Sequence, residues 1–255
     1  MIDFLNNHLT FNSKINKDIL FLGITRDSAT YIESSILNLR KLGNMFNGYD
    51  ILIYENDSTD NTLEILDNNK INYLTEKLNL EKYSGDNPPP TLLQNMAYYR
   101  AKIKEEALKQ KFDYYCIVDF DIVKVNWDGF FDCFNYNIDV MCANSQIFTK
   151  VGEYNLCLYY DYFAHRDIGQ VEANQQLSIR YAASFAESPF NGVLNVDSAF
   201  GGMTIYSREA FESGQYDLNT EVCEHVPFHK SIRDAGFKIQ LNKFFTIFHG
   251  EKTVV

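Results

Sequence analysis

The 255-residue chain has no Cys-x-x-Cys pair, no internal repeat, no low-complexity segment and no apolar run approaching the roughly 18 residues of a spanning helix. Its five cysteines, Cys116, Cys133, Cys142, Cys157 and Cys223, are odd in number, and several stand in apolar surroundings. Both facts argue against a disulfide framework and for buried free thiols in a reducing compartment. With no integral membrane segment and no N-terminal signal pattern, a soluble cytoplasmic protein is expected, with peripheral membrane association left open. Basic residues are also scarce, 23 against 34 acidic ones, for a formal net charge of −11. Nucleic-acid binders draw affinity from basic side chains, so nucleic acid is not expected as the main partner, and an anionic substrate would need a local cation. What remains is an ordinary globular composition, 45% apolar and 22% charged, long enough for one large domain. Its 17 tyrosines and 20 phenylalanines suit either a thick aromatic core or sugar-stacking surfaces.

The chain centres on FDYYCIVDFDIVKVNWDGFF, Phe112 to Phe131. An apolar run, Tyr114 to Val118, predicts a short buried strand that ends in two carboxylates, Asp119 and Asp121, flanking Phe120. In alternating geometry both acids face one side and repel unless a cation lies between them. A hard divalent ion, Mg²⁺ or Mn²⁺, is the natural partner.

Around this stretch strand and helix alternate. A strand over Ile19 to Ile24 leads to a helix with apolar positions Ile32, Ile36, Leu39 and Leu42, ending near Gly43. A second strand, Ile51 to Tyr54, runs into an acid-rich turn and a helix from about Asp60, capped by Thr59 or Asp60. A short strand near Ile71 to Leu74, a loop with three consecutive prolines, and an amphipathic helix from Thr91 to Lys111 complete the first half. This order predicts an α/β fold: one mostly parallel sheet flanked by helices, with ligands at the strand carboxyl ends. In the second half the pattern gives a short helix over Trp127 to Phe134, a strand over Ile138 to Ala143, and an ambiguous aromatic stretch from Tyr154 to Phe163. Then come a loosely placed region from His165 to Gly192, a strand and helix around Arg208, a helix bearing Glu224, His225, His229 and Arg233, and a last strand ending at His249. Taken singly, Trp127 reads as core, Arg233 as a solvated charge, and His225 and His229 as surface histidines rather than a zinc pair.

Five segments in this order, IYENDSTDNT, the strand ending in DFD, FGGMTIYSREAF, CEHVPFH with the following RDAGFKI, and the closing FHGE, resemble the nucleotide-sugar glycosyltransferases of the GT-A fold. Among them the chain looks most like the capsule mannosyltransferase-type proteins related to the cryptococcal mannosyltransferase, over roughly Ile19 to Gly250. The resemblance implies a single GT-A-like (Rossmann-like) domain. Residues 19–121 would form its nucleotide-binding half and 122–250 its acceptor and donor-sugar half. It implies transfer of a hexose from a UDP- or GDP-sugar to a glycan, lipid-linked or protein acceptor, with Mn²⁺ or Mg²⁺ as cofactor, in polysaccharide assembly. Carried over by position, Glu55 contacts the base or ribose, Arg26 and Arg100 the nucleotide or diphosphate, and Gly201 and Gly202 let backbone approach the donor sugar. Asp119 and Asp121 form the DxD motif, Asp119 reaching ribose or metal and Asp121 the metal, with His249 as a further metal ligand. Glu224, with Asp197 second, is the candidate base for the acceptor hydroxyl if the anomeric centre inverts. Two departures from the family pattern stand out: Glu55-Asn56 replaces the usual pair of aspartates, and His225 follows Glu224 where another acid is common.

Two other readings compete. A sugar nucleotidyltransferase would carry a Gly-rich basic loop after the first strand, whereas GITRDSAT has one glycine and one arginine. A non-catalytic carbohydrate- or nucleotide-binding domain would keep the fold without turnover.

Overall fold

Residues Ile19 to Leu22 are buried on both faces of the first strand, β1 (Ile15–Thr25). Two-sided burial is what a central strand with a helix on each face requires. The structure, a computed structural model of the chain, describes residues 14–83, 89–151, 154–172 and 192–249. Helix α1 (Ile32–Gly43) buries Ile32, Ile36, Leu39 and Leu42, the positions its periodicity predicted. They join Phe21, Ile53 and Cys116 in one core cluster. On the opposite face, Tyr99, Ile103 and Ala107 of α3 (Pro90–Ala107) pack with Leu20, Leu22, Leu52 and Tyr115. The period-2 alternation of the strands therefore feeds two cores, one on each side of a single sheet.

The remaining elements are β2 (Phe46–Asn56), α2 (Thr62–Asn68), β3 (Asn72–Glu76), β4 (Tyr114–Val118), β5 (Ile122–Val125), α4 (Trp127–Asp132), β6 (Val140–Val151), β7 (Tyr154–Tyr159), β8 (Val193–Val196), β9 (Met203–Ser207), α5 (Arg208–Ser213), α6 (His225–Asp234) and β10 (Ile239–His249). The sheet runs β3-β2-β1-β4-β9-β6-β10-β5, with β7 paired to β6 and β8 to β10. Strands β3, β2, β1 and β4 are mutually parallel, as is the pair β6 and β10. Strand β9 is antiparallel to both β4 and β6 and joins the two halves. The expected α/β class, a single Rossmann-like domain with its sheet flanked by helices, is the observed one, and the sheet is mixed.

Several local expectations differ. Helix α3 starts at Pro90 because a proline in the first turn forfeits only an N–H that has no helical acceptor. The ambiguous aromatic stretch forms β7 up to Tyr159. Strands β5 and β8, four residues each, are too short for a periodic signal. Trp127 opens α4 and is 38% exposed rather than in the core. His225 and His229 are buried, not on the surface. Of the region from His165 to Gly192, residues 173–191 lie outside the described part, as do the closing residues from 250 onward. Among the described residues no helix is long and apolar enough to cross a membrane.

Candidate active site

Parallel pairing brings the carboxyl ends of β1, β2 and β3 level, with Thr25 opposite Glu55 and Glu55 opposite Thr75. Such an edge leaves a crevice between diverging loops. Here the loops are tied by carboxylates. Asp27 accepts from the backbone N–H of Thr59 at 2.7 Å, and Asp60 from that of Ala29 at 3.0 Å. Asp57 accepts from the backbone N–H groups of Leu78, Asn79 and Leu80 at 2.8–3.1 Å. Asp27 and Asp57 both sit at positive φ, 48° and 52°, a conformation that Asp tolerates when its side chain bonds nearby backbone. The acid-rich turn is therefore the brace of the crevice wall. The N-cap of α2 is Asn61, with no side-chain cap bond, rather than the expected Thr59 or Asp60; Asp60, one residue earlier, accepts from the Thr62 N–H at 2.9 Å.

A cavity of about 470 Å³ opens against this wall, lined by Thr25, Arg26, Asn56, Tyr99, Asp119 and Asp121 among others. A second, of about 580 Å³, adjoins it and shares Arg26, Leu80 and Glu81. Arg26 donates to the carbonyl of Leu80 at 2.6 Å. Glu55 lines the second cavity, and both its oxygens accept hydrogen bonds from protein groups, the Ser58 N–H at 2.7 Å and the Thr75 hydroxyl at 2.6 Å.

Asp119 and Asp121 lie in the turn between β4 and β5, not in an alternating strand, and their side chains take different partners. Phe120 is buried in the core, and its carbonyl accepts from the Ser35 hydroxyl at 3.1 Å, which anchors the turn. Asp119 Oδ1 meets Arg100 Nη2 at 2.9 Å, and Arg100 Nε meets Glu224 Oε1 at 3.0 Å. The cation that two neighbouring acids demand is thus supplied, for Asp119, by an arginine buried in α3. Burial works against the Arg100 charge, but Asp119 and Glu224 outweigh it and hold the guanidinium protonated. Asp119 keeps 32% of its side-chain surface exposed. The surrounding protein nevertheless pushes its carboxyl up to about 6 against the pull of Arg100, and the Asp121 charge pushes the same way.

On the other side of the turn, His249 Nδ1 stands 3.3 Å from Asp121 Oδ1, and its ring packs on Tyr160 with centroids 4.0 Å apart. Its Nε2 is buried with no hydrogen-bond partner among the described residues. The loop before β9 closes this side. Gly201 and Gly202 have φ of 65° and 74°, and the Gly202 carbonyl accepts from the Asp119 N–H at 2.8 Å. A Cβ on Gly201 would lie 2.1 Å from the Ala143 carbonyl oxygen, and one on Gly202 would lie 2.6 Å from His249 Cε1. In this structure the two glycines make room for β6 and for His249. Asp161 holds the loop, accepting from the N–H groups of Phe200 at 3.1 Å and Gly201 at 2.5 Å. Sequence reasoning overlooked Tyr160 and Asp161. Their only signal was membership of an aromatic, acid-containing stretch that matched no element.

Glu224 is 5% exposed and committed to Arg100. Asp197 is held by Arg233 at 2.9 Å and by the Gly169 N–H at 2.9 Å, so Arg233 is a paired residue rather than a freely solvated charge. The structure thus gathers Arg26, Asp119, Asp121, Arg100, Glu224, Gly202 and His249 into one connected site, and it gives Asp197 contacts outside that chain. The two histidines of α6 do not form a zinc pair. His229 is bonded to the Ser198 hydroxyl at 3.0 Å and the Tyr206 hydroxyl at 2.8 Å, and His225 is stacked on Phe200 at 3.9 Å. Burial and the charge of Glu224 push the Cys223 thiol well up, the opposite of what a thiol nucleophile needs.

Carboxylates and an imidazole are donors that suit Mn²⁺ and, for the oxygens, Mg²⁺. In kind, Asp119, Asp121 and His249 fit such an ion. In geometry, Asp119 leans to Arg100, and among the described residues no group of three His, Cys, Asp or Glu side chains is disposed to hold a metal.

No family model matches the sequence, and no curated protein is similar to it in sequence. Solved structures do match the fold. Residues 1–349 of S. aureus TarS align over 91% of this chain and 60% of that one, with TM-score 0.51 and 15% identity. GalNAc-T7, solved with UDP, GalNAc and Mn²⁺, aligns over 94% and 45%, with TM-score 0.55 and 12% identity. The mannosyltransferase PcManGT of Pyrobaculum calidifontis, solved with GDP-Man and Mn²⁺, aligns over 92% and 57%, with TM-score 0.53 and 11% identity. The chain spans no more than 60% of the length of these three. The likeness is to the GT-A-like fold and selects no mannosyltransferase type within it.

Proposed function

We propose that the chain is a metal-dependent glycosyltransferase that moves a hexose from a UDP- or GDP-sugar onto a glycan, a lipid-linked sugar or a protein. One observation carries the reading: Asp119 and Asp121 border the same cavity as Arg26, at the carboxyl ends of parallel strands. Two fold neighbours support it, being described with a nucleotide or nucleotide sugar and Mn²⁺. In this reading residues 19–121 bind the nucleotide, with Arg26 and Glu55 toward it, and residues 122–250 shape the sugar and acceptor side.

Mn²⁺ or Mg²⁺ would be held by Asp121 with Asp119 and His249, where it would offset the charge that collects on the departing diphosphate. The protein's own part is positional. Arg100 fixes the Asp119 carboxylate, Phe120 anchors the turn, and Asp161 holds the glycine loop that carries the backbone bond to Asp119. Such preorganisation lowers the cost of meeting the developing charge. A base role for Glu224, or for Asp197, would fall to a carboxylate paired with Arg100 or Arg233, and that pairing weakens it as a base.

A non-catalytic binding domain is favoured by one observation, the occupation of both Asp119 and Glu224 by Arg100. The test is thermal stabilisation of the protein by UDP-, GDP-, CMP- and dTDP-sugars with and without Mn²⁺, since a ligand specific to the folded state raises its apparent stability. Stabilisation by one nucleotide class that needs Mn²⁺ supports the transferase. Sugar or nucleotide binding indifferent to metal, and unchanged by Asp121→Ala, supports the binding domain.

A further inference from the structure

The cavity beside the two aspartates is lined by four acids, Asp27, Glu81, Asp119 and Asp121, and by two cations, Arg26 and Lys82. A diphosphate entering it meets a wall that repels it unless its charge finds basic partners. Arg100 is buried and paired through Nη2 with Asp119 and through Nε with Glu224, its Nη1 alone lacking a partner among the described residues. Arg26 is tethered through Nη2 to the Leu80 carbonyl.

Lys82 differs from both. Its side chain is 58% exposed, and Nζ rests on Asp27 Oδ2 at 3.0 Å. Asp27 has partners besides Lys82: its other oxygen, Oδ1, accepts from the Thr59 N–H at 2.7 Å and the Thr59 hydroxyl at 3.2 Å. Lys82 is the exposed member of the pair, Asp27 keeping 15% of its side-chain surface exposed, and the long lysine stem lets the ammonium swing between partners.

We propose that Lys82 is the exchangeable phosphate contact of this pocket, its ammonium leaving Asp27 for the diphosphate oxygens when a nucleoside diphosphate binds. The inference rests on the nucleotide-sugar reading and deepens it by naming a side chain that meets part of the diphosphate charge alongside the metal. No bond is made or broken; one ion pair replaces another.

The test is isothermal titration of UDP, GDP, uridine and guanosine into wild type, Lys82→Met and Lys82→Arg, all with Mn²⁺ and at two salt concentrations. Charge-assisted hydrogen bonds support an expected loss of about 10- to 100-fold in diphosphate affinity for Lys82→Met, with nucleoside affinity unchanged. Lys82→Arg should retain most of the affinity, and Lys82→Met should flatten the salt dependence. Because Lys82 is exposed, the melting temperature should stay at the wild-type value, which separates loss of contact from loss of fold. Wild-type diphosphate binding that Lys82→Met leaves intact overturns this inference alone. A wild type that binds neither diphosphate overturns it together with the nucleotide-sugar reading.

Discussion

Replacing Arg100 by Met tests the buried ion network most severely. Met conserves the stem but leaves Glu224, with 6% of its side-chain surface exposed, facing no cation, and it frees Asp119 from its 2.9 Å contact. Removing one partner of a buried ion pair typically costs about 3–5 kcal/mol, because a desolvated charge is left behind. Asp119 is one-third exposed and recovers water, so the cost falls chiefly on Glu224. For a chain of this size such a loss lowers Tm by roughly 6–20 °C. Adding Glu224→Gln removes the stranded charge, so the double variant should regain at least half of that loss, a non-additivity that a double-mutant cycle reads directly. Arg100→Lys should fall between, since an ammonium cannot span two carboxylates as a fork does. Calorimetric melting at neutral pH is the assay. Arg100→Met melting within a degree or two of wild type, or Glu224→Gln making it worse, would refute the claim that Arg100 and Glu224 form a desolvated, mutually dependent pair.

Acidification should destabilise the fold through α6. Burial lowers the pKa of His229 to about 3 and that of His225 well below its ordinary value, so both are neutral when folded and protonate when unfolded. Stability is therefore complete above about pH 6.5 and falls by about 1.4 kcal/mol per pH unit for each imidazole as pH drops below it, for His229 down to pH 3, measured by urea unfolding from pH 7 to 4.5. His229→Gln should lower the slope; an unchanged slope contradicts the assignment. Gly201→Ala should cost more than Gly202→Ala, because its Cβ strikes the backbone oxygen of Ala143 and not the His249 ring; equal melting temperatures would contradict this. Asp161→Asn should destabilise by about 1–2 kcal/mol through weaker acceptance from the Phe200 and Gly201 N–H groups, read by the urea midpoint.

The first half of the fold was legible because its signals are local. The helical spacing from Ile32 to Leu42 and the apolar run ending at Asp119 each lie within one element, and the element buries what the pattern says it buries. The candidate site was legible in part for the same reason, since Asp119, Asp121 and Arg26 follow strands and line one cavity. Its wiring was not. Arg100 and Glu224 are 124 residues apart, and Gly201 and Asp161 are 40, separations at which no spacing rule operates. The burial of His225 and His229 escaped detection because a polar residue facing a core is set by what packs over it, here Phe200, Tyr206 and Ser198. The paired acids raised the correct physical question, which cation offsets them, and the structure answers it for Asp119 with a side chain.

The claim that Asp119 and Asp121 form the metal-and-diphosphate end of a donor pocket is tested most directly by anomalous diffraction from crystals grown with Mn²⁺ and with UDP or GDP. The account predicts a manganese peak bonded to Asp121 and to diphosphate oxygens, with the nucleoside in the crevice beside Arg26, and no such peak in Asp121→Ala. A nucleotide bound in that crevice without metal, or manganese bound elsewhere on the chain, would contradict it.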